Sequence, residues 1–129
     1  MRNRLRALRI GRLTGAIAVA ALAVSQASAG DSAMTLRVGR TGIMCVRLPC
    51  PHRGIYRPGA KDMQALRRSL LYADLDEKSG LPDLDGAAAA LKWVRDAWDR
   101  NACIEIRGRL DGTKGDQRLH VENIMGACR

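Results

Sequence analysis

The clearest pattern along the chain is an alternation near its end. "CIEIRGRL" (103–110) sets Ile104, Ile106, Gly108 and Leu110 against Glu105, Arg107 and Arg109. That is the period-two signature of a strand with one buried face. "RLHVENIM" (118–125) returns with Leu119 and Val121 on one side and His120 and Glu122 on the other. "DGTKGDQ" (111–117) between them is turn chemistry. The three segments predict a β-hairpin. Upstream, "GAAAALKWVRDAWDR" (86–100) has a helical period, with Leu91, Val94, Ala97 and Trp98 on one stripe. Its alanines have the best intrinsic propensity, and Asp85 stands where a capping side chain belongs. Asp96 and Arg100 lie four apart, acid first, the favourable order for a surface pair. Trp93 and Trp98 read as core and boundary packing.

The preceding half is less regular. "MTLRVGRTGIMCVRL" (34–48) alternates in part, through Leu36, Val38, Ile43 and Cys45. Gly39 and Gly42 make it a bent or bulged first strand. "PCPHRG" (49–54) reads as a loop, because its prolines cannot donate to a ladder. "GIYRPG" (54–59) is a short second strand stopped by Pro58-Gly59. In residues 60–76, Met63, Leu66 and Leu70 fit a helix, whereas Leu71, Ala73 and Leu75 alternate. The segment reads as a turn and then a strand over 67–76. Residues 77–86 read as loop. The order is β-β-β-α-β-β, a mostly β (α+β) domain, expected as a small five-stranded OB-like barrel with one helix. The rival is an open α+β sheet with the helix on one face.

The first residues change the picture of compartment and charge. Five arginines and no acid occupy residues 1–12, an apolar run follows from Leu13 to Val24, and Ala27-Ser28-Ala29 closes the segment. That order predicts a secretory signal peptide over 1–29 and one domain over 30–129. The apolar run is too short to span a bilayer. Of the 22 Lys and Arg and 13 Asp and Glu, five arginines and no acid leave with that segment, so 17 face 13 in the remainder. The modest surplus suits anionic envelope lipids or polysaccharide and does not call for nucleic acid. Nucleic acid is further disfavoured by the scarcity of stacking aromatics, since the chain has no Phe and two Tyr. The expected address is the periplasm or the exterior. The expected partner is an envelope ligand or another protein. The domain is expected as a monomer with no stable membrane insertion.

All four cysteines, Cys45, Cys50, Cys103 and Cys128, follow the signal segment. In a short exported chain an even count predicts a disulfide framework. Four cysteines allow three pairings. Folding the predicted hairpin brings residue 103 beside residues 126–128, within bridging distance. Cys103–Cys128 follows, which leaves Cys45–Cys50.

The segment "GIMCVRLPCPHRG" (42–54) offers the sharpest chemical alternative. Met44, Cys45, Cys50 and His52 are soft or borderline ligands in a short span, a set for copper or zinc if the thiols are free. A closed zinc site needs four ligands, and only His120 supplies another imidazole. Redox chemistry is disfavoured, because the spacing is not C-x-x-C and no helix begins there. Asp74, Asp76, Asp83 and Asp85 fail the EF-hand pattern, with Lys78 and Ser79 at its central positions. No G-x-S-x-G occurs. A hydrolase would have to centre on His120, and a cross-strand surface pair explains that residue more simply. The expectation is therefore no enzyme, no catalytic residue and no cofactor, with Arg107, Arg109, Arg118 and His120 as the contact surface.

Two stretches carry a resemblance. "CIEIRGRL…RLHVENI" resembles the closing strands of small exported bacterial OB-like barrels. "GIMCVRLPCP" resembles the C-x4-C-P signature of exported bacterial proteins of unknown function. The resemblance implies a periplasmic barrel acting as a binding or envelope-maintenance module, and it brings no catalytic residue or ligand.

Overall fold

The computed structural model describes residues 32–75 and 79–129; the expected signal segment lies outside them. Its elements are β1 (Met34–Arg40), β2 (Arg53–Tyr56), α1 (Met63–Ser69), β3 (Leu70–Asp74), β4 (Asp83–Gly86), α2 (Ala88–Asp99), β5 (Cys103–Thr113) and β6 (Asp116–Ala127). The six strands form one curled, half-barrel sheet in the order β3-β2-β1-β5-β6-β4. All neighbours are antiparallel except β4, which runs parallel to β6.

Alternation decides which face is buried. Leu36 and Val38 of β1, Ile55 of β2, Ile104 and Ile106 of β5, and Leu119 and Val121 of β6 point inward. They meet Val94, Ala97 and Trp98 of α2, which lies in the concave side of the sheet. Burial of these side chains is the main stabilising contribution, at roughly 1.5–3 kcal/mol for each large one. The inner layer ends in a polar cluster. Arg53 Nη2 lies 2.8 Å from Asp74 Oδ2, and the guanidinium sits 5.1 Å from the Trp98 ring centroid. Tyr72 packs against Trp98 at 6.4 Å, and its hydroxyl donates to the Gly80 carbonyl. Burial, and secondarily the Asp74 charge, push the Tyr72 phenol up.

Several sequence expectations are corrected. The sheet has six strands and the domain two helices, not five and one. The ladders do not close into a ring. Between the β3 edge and the β5–β6 turn, Gln117 Nε2 donates to the Leu71 carbonyl, and no ladder joins β3 to β6. β4 replaces part of the loop expected over 77–86, since four residues with a single inward apolar side chain, Leu84, carry too little pattern to predict a strand. Its pairing comes from the edge of β6. β1 ends at Arg40 rather than running on to Leu48, and residues 41–52 form a loop. Residues 63–69 are helical because Asp62 Oδ1 accepts from Ala65 N at 2.7 Å, a local cap. α2 starts at Ala88 with Ala87 as its uncapped N-cap. Asp85 is instead an outward residue of β4, bonded to His120. Asp96 pairs with Lys92 rather than with the Arg100 side chain, which bonds the Asp96 carbonyl. The Lys92 hydrogen bond holds the Asp96 carboxyl below its ordinary range.

Gly39 shows how tightly β1 is set against β5. Its φ is +117° and an added Cβ would fall 1.9 Å from the Ala102 carbonyl oxygen. Gly59 also has positive φ, +94°, but faces open space. Gly59→Ala is expected to cost about 1–2 kcal/mol, the backbone penalty alone. Gly39→Ala is expected to cost clearly more, since main chain must also shift. Urea unfolding of the two variants checks this; equal costs would show that the Ala102 contact is unimportant.

Candidate functional site

Two surfaces carry the residues singled out from the sequence. The first is the outer face of β1, β5, β6 and β4. Alternation turns Arg37, Glu105, Arg107, Arg109, Asp111, Arg118, His120, Glu122, Asp83 and Asp85 outward. Registers then place opposite charges side by side: Arg37 with Glu105, Arg107 with Glu122, and Arg118 with Asp83. His120 lies at the centre. Its Nδ1 is 2.7 Å from Asp85 Oδ2 and its Nε2 is 2.8 Å from Asp111 Oδ2. The same Asp111 oxygen takes Arg109 Nε at 2.9 Å. The structure thus brings the four expected contact residues onto one face and sets a carboxylate beside each. Such exposed pairs contribute about 0–1 kcal/mol each. Their clearer effect is on register: the imidazole ties the short parallel strand β4 to the hairpin. Both ring nitrogens face carboxylates.

The second surface is the loop 41–52. Its neck is closed by Thr41, whose amide donates to the His52 carbonyl at 2.9 Å and whose hydroxyl donates to the Pro51 carbonyl at 2.6 Å. Ile43 N donates back to the Thr41 hydroxyl. Ile43 and Cys50 are buried and anchor the loop in the fold. Beyond the neck, Cys45 and Cys50 are bridged, with Cα atoms 5.8 Å apart. Cys103 and Cys128 are bridged as well, with Cα atoms 5.4 Å apart. Both pairings are those expected from the hairpin argument, and among the described residues no cysteine is free. The oxidised sulfurs leave Met44 and His52 as the remaining members of the metal set. Among the described residues no group of three His, Cys, Asp or Glu is arranged to hold a metal.

The ring from Cys45 to Cys50 is too small to fold its side chains inward. Met44 is 83% exposed, Val46 102% and Leu48 75%. Two apolar side chains of the closed ring, and Met44 just outside it, thus stand in water. Leaving each exposed forgoes about 1.5–3 kcal/mol of burial. Cations lie on the tip and along one side of the loop. Arg47 sits on the tip. Arg67 Nη2 of α1 reaches the Met44 carbonyl at 3.4 Å. Arg40 shares a small cleft with Met44 and His52, and Arg57 and Lys61 line another beside Thr41 and Met63.

This surface was missed from the sequence, although a signal exists. Residues 32–61 contain no Asp or Glu, and residues 32–73 hold eight Lys and Arg against one acid, Asp62. Averaging charge over the whole domain hides that asymmetry. Two of the eight are neutralised, Arg37 by Glu105 and Arg53 by Asp74. Arg40, Arg47, Arg57, Lys61, Arg67 and Arg68 form no ion pair with a described residue.

A cleft of about 690 Å³ opens between the two sheet edges, lined chiefly by β3, Leu81, Pro82 and the β5–β6 turn. It contains no histidine or cysteine, and its one described carboxylate pair, Asp83 and Asp116, lies at the rim of the turn and β4. No protein family, no curated protein and no solved structure matches the chain. No helix among the described residues is long and apolar enough to cross a membrane. The two disulfides fit an oxidising compartment outside the cytoplasm.

Proposed function

We propose that the chain is an exported, non-enzymatic binding module of the periplasm or exterior. Its sheet is best understood as a barrel-like scaffold of the OB kind, opened by the extra strand β4, that holds out one contact element. That element is the Cys45–Cys50 loop. The observation that carries the reading is the near-complete exposure of Met44, Val46 and Leu48 on a loop whose neck and ring are both locked. A protein does not gain from holding apolar side chains in water unless they are covered in use. Closing the ring in advance lowers the ordering cost of contact. The reading is further supported by the state of the other candidates. Arg107, Arg109, Arg118 and His120 are each engaged by carboxylates, so that face is charge-balanced and less suited to capturing an anion. The bridged sulfurs favour binding over a copper or zinc site.

Site-specific photo-crosslinking in exporting cells tests the proposal. A photoreactive amino acid in place of Val46 is expected to give adducts, and one in place of Arg118 is expected to give few. Adducts from position 118 with none from position 46 would overturn it in favour of the charged face.

A further inference from the structure

We infer that the partner of the Cys45–Cys50 loop is an anionic lipid surface, into whose headgroup layer Met44, Val46 and Leu48 dip while the neighbouring cations meet phosphate. This rests on the reading of the loop as the contact element and goes further by naming what it contacts. Two independent features combine. The first is a convex apolar tip: Val46 and Leu48 project from a small closed ring, with exposed Met44 directly beside it. A protein partner would need a pocket matched to that protrusion, whereas a fluid bilayer accommodates it without one. The second is charge. Six cations of residues 40–68 lack a carboxylate partner among the described residues, and the single acid of residues 32–73, Asp62, is spent on capping α1. Apolar side chains set beside Lys and Arg are the composition of interfacial anchors. Each cation near an anionic leaflet adds attraction that salt screens.

A polysaccharide would satisfy the cations but gives Val46 and Leu48 no apolar phase. Residues 41–52 contain no Tyr, Trp or Phe to stack on sugars. The anchor is peripheral. Three side chains and a handful of cations give reversible binding, far from the strength of a spanning helix.

The test uses the signal-free chain with both disulfides formed, and vesicles of equal parts phosphatidylcholine and phosphatidylglycerol beside vesicles of phosphatidylcholine alone. Co-sedimentation is expected to show at least about tenfold stronger partitioning onto the anionic vesicles, weakening as salt is added. Arg47→Gln is expected to weaken it about fivefold, which corresponds to roughly 1 kcal/mol per cation near the surface. Val46→Ser combined with Leu48→Ser is expected to weaken it about tenfold or more. Both positions are exposed, so an unchanged circular dichroism spectrum and unfolding midpoint are expected to confirm that the fold is intact. A Val46→Trp variant is expected to be quenched by lipids brominated near the headgroup.

No preference for the anionic vesicles would overturn the inference. So would binding that the Val46→Ser, Leu48→Ser variant leaves unchanged, because the apolar tip would then be idle. If vesicles fail while position 46 crosslinks to a protein in cells, the lipid partner is wrong and the loop reading stands. If position 46 yields no adduct of either kind and vesicles fail, both are wrong.

Discussion

Asp74→Ala is expected to destabilise the domain by about 3–5 kcal/mol, the cost of breaking one side of a buried ion pair. Asp74 is fully buried and faces Arg53 across the β2–β3 ladder. One carboxylate oxygen takes Arg53 Nη2 at 2.8 Å. The other accepts from Ser79 N at 2.8 Å and Gly80 N at 3.2 Å. Arg53 in turn donates from Nη1 to the Trp98 carbonyl in the last turn of α2 and covers the indole ring. One carboxylate therefore joins β2, β3, the return of the chain at residues 79–80 and the end of α2. Removing it strands a guanidinium whose side chain is 15% exposed, and two amides with it. Small domains are stable by only about 5–15 kcal/mol, so the loss is a large share of the total. Arg53→Met with Asp74→Leu is expected to cost less than the sum of its parts, because neither change then leaves a charge behind. Urea unfolding of the singles and the double gives the coupling directly. A loss under about 0.5 kcal/mol for Asp74→Ala, the usual range for a surface substitution, would show that the cluster is incidental.

The second large effect is expected at the other end of the sheet. Cys103→Ser combined with Cys128→Ser removes a bridge of sequence separation 25 and should cost about 3.5 kcal/mol by the loop-entropy relation. In a domain of this size that corresponds to roughly 15–25 °C in Tm. The bridge joins strand ends that already pair, with Cys128 N donating to the Cys103 carbonyl at 3.0 Å. Its contribution is thus mainly a constraint on the unfolded chain. The Cys45–Cys50 bridge spans a separation of only 5, and the same relation assigns it about 2 kcal/mol. Thermal unfolding of the two bridge-deleted forms checks the order. A smaller loss for Cys103–Cys128 than for Cys45–Cys50 would contradict the entropic account. Tyr56 offers a local readout, since its buried hydroxyl lies 3.3 Å from Cys103 Sγ. Burial pushes that phenol up, with Arg37 and Arg40 opposing.

Where the chain pattern is long and regular, it was enough to place the element. The β5–β6 hairpin, the buried stripe of α2 through Val94, Ala97 and Trp98, and the inward Leu36 and Val38 all follow from periodicity alone. Both disulfides follow from the hairpin, because antiparallel return brings its ends together. Short segments were a different matter. α1 has no buried residue, so its stripe of Met63 and Leu66 competes with the alternation that begins at Leu70. The Asp62 cap, a single local bond, settles the contest. β4 has no strand signal of its own, and Asp85 suits a helix cap or an edge strand equally by type.

The buried faces, the covalent frame and the uneven spread of charge are legible along the chain, because each depends on spacing or on residue type within one segment. Tertiary structure alone decided which charges survive as charges. Arg53 and Asp74 are far apart in sequence yet pair inside the core, and Arg107 and Arg118 meet carboxylates of strands that register beside them, while Arg109 meets Asp111 of its own strand. The cations around the Cys45–Cys50 loop meet no such partners among the described residues, because β1, β2 and α1 come from the acid-poor half of the chain. Pairing between distant segments carries that information. The partners of Arg37, Arg53 and Arg118 lie on distant segments, so which cations stay unpaired is visible only once the sheet is assembled.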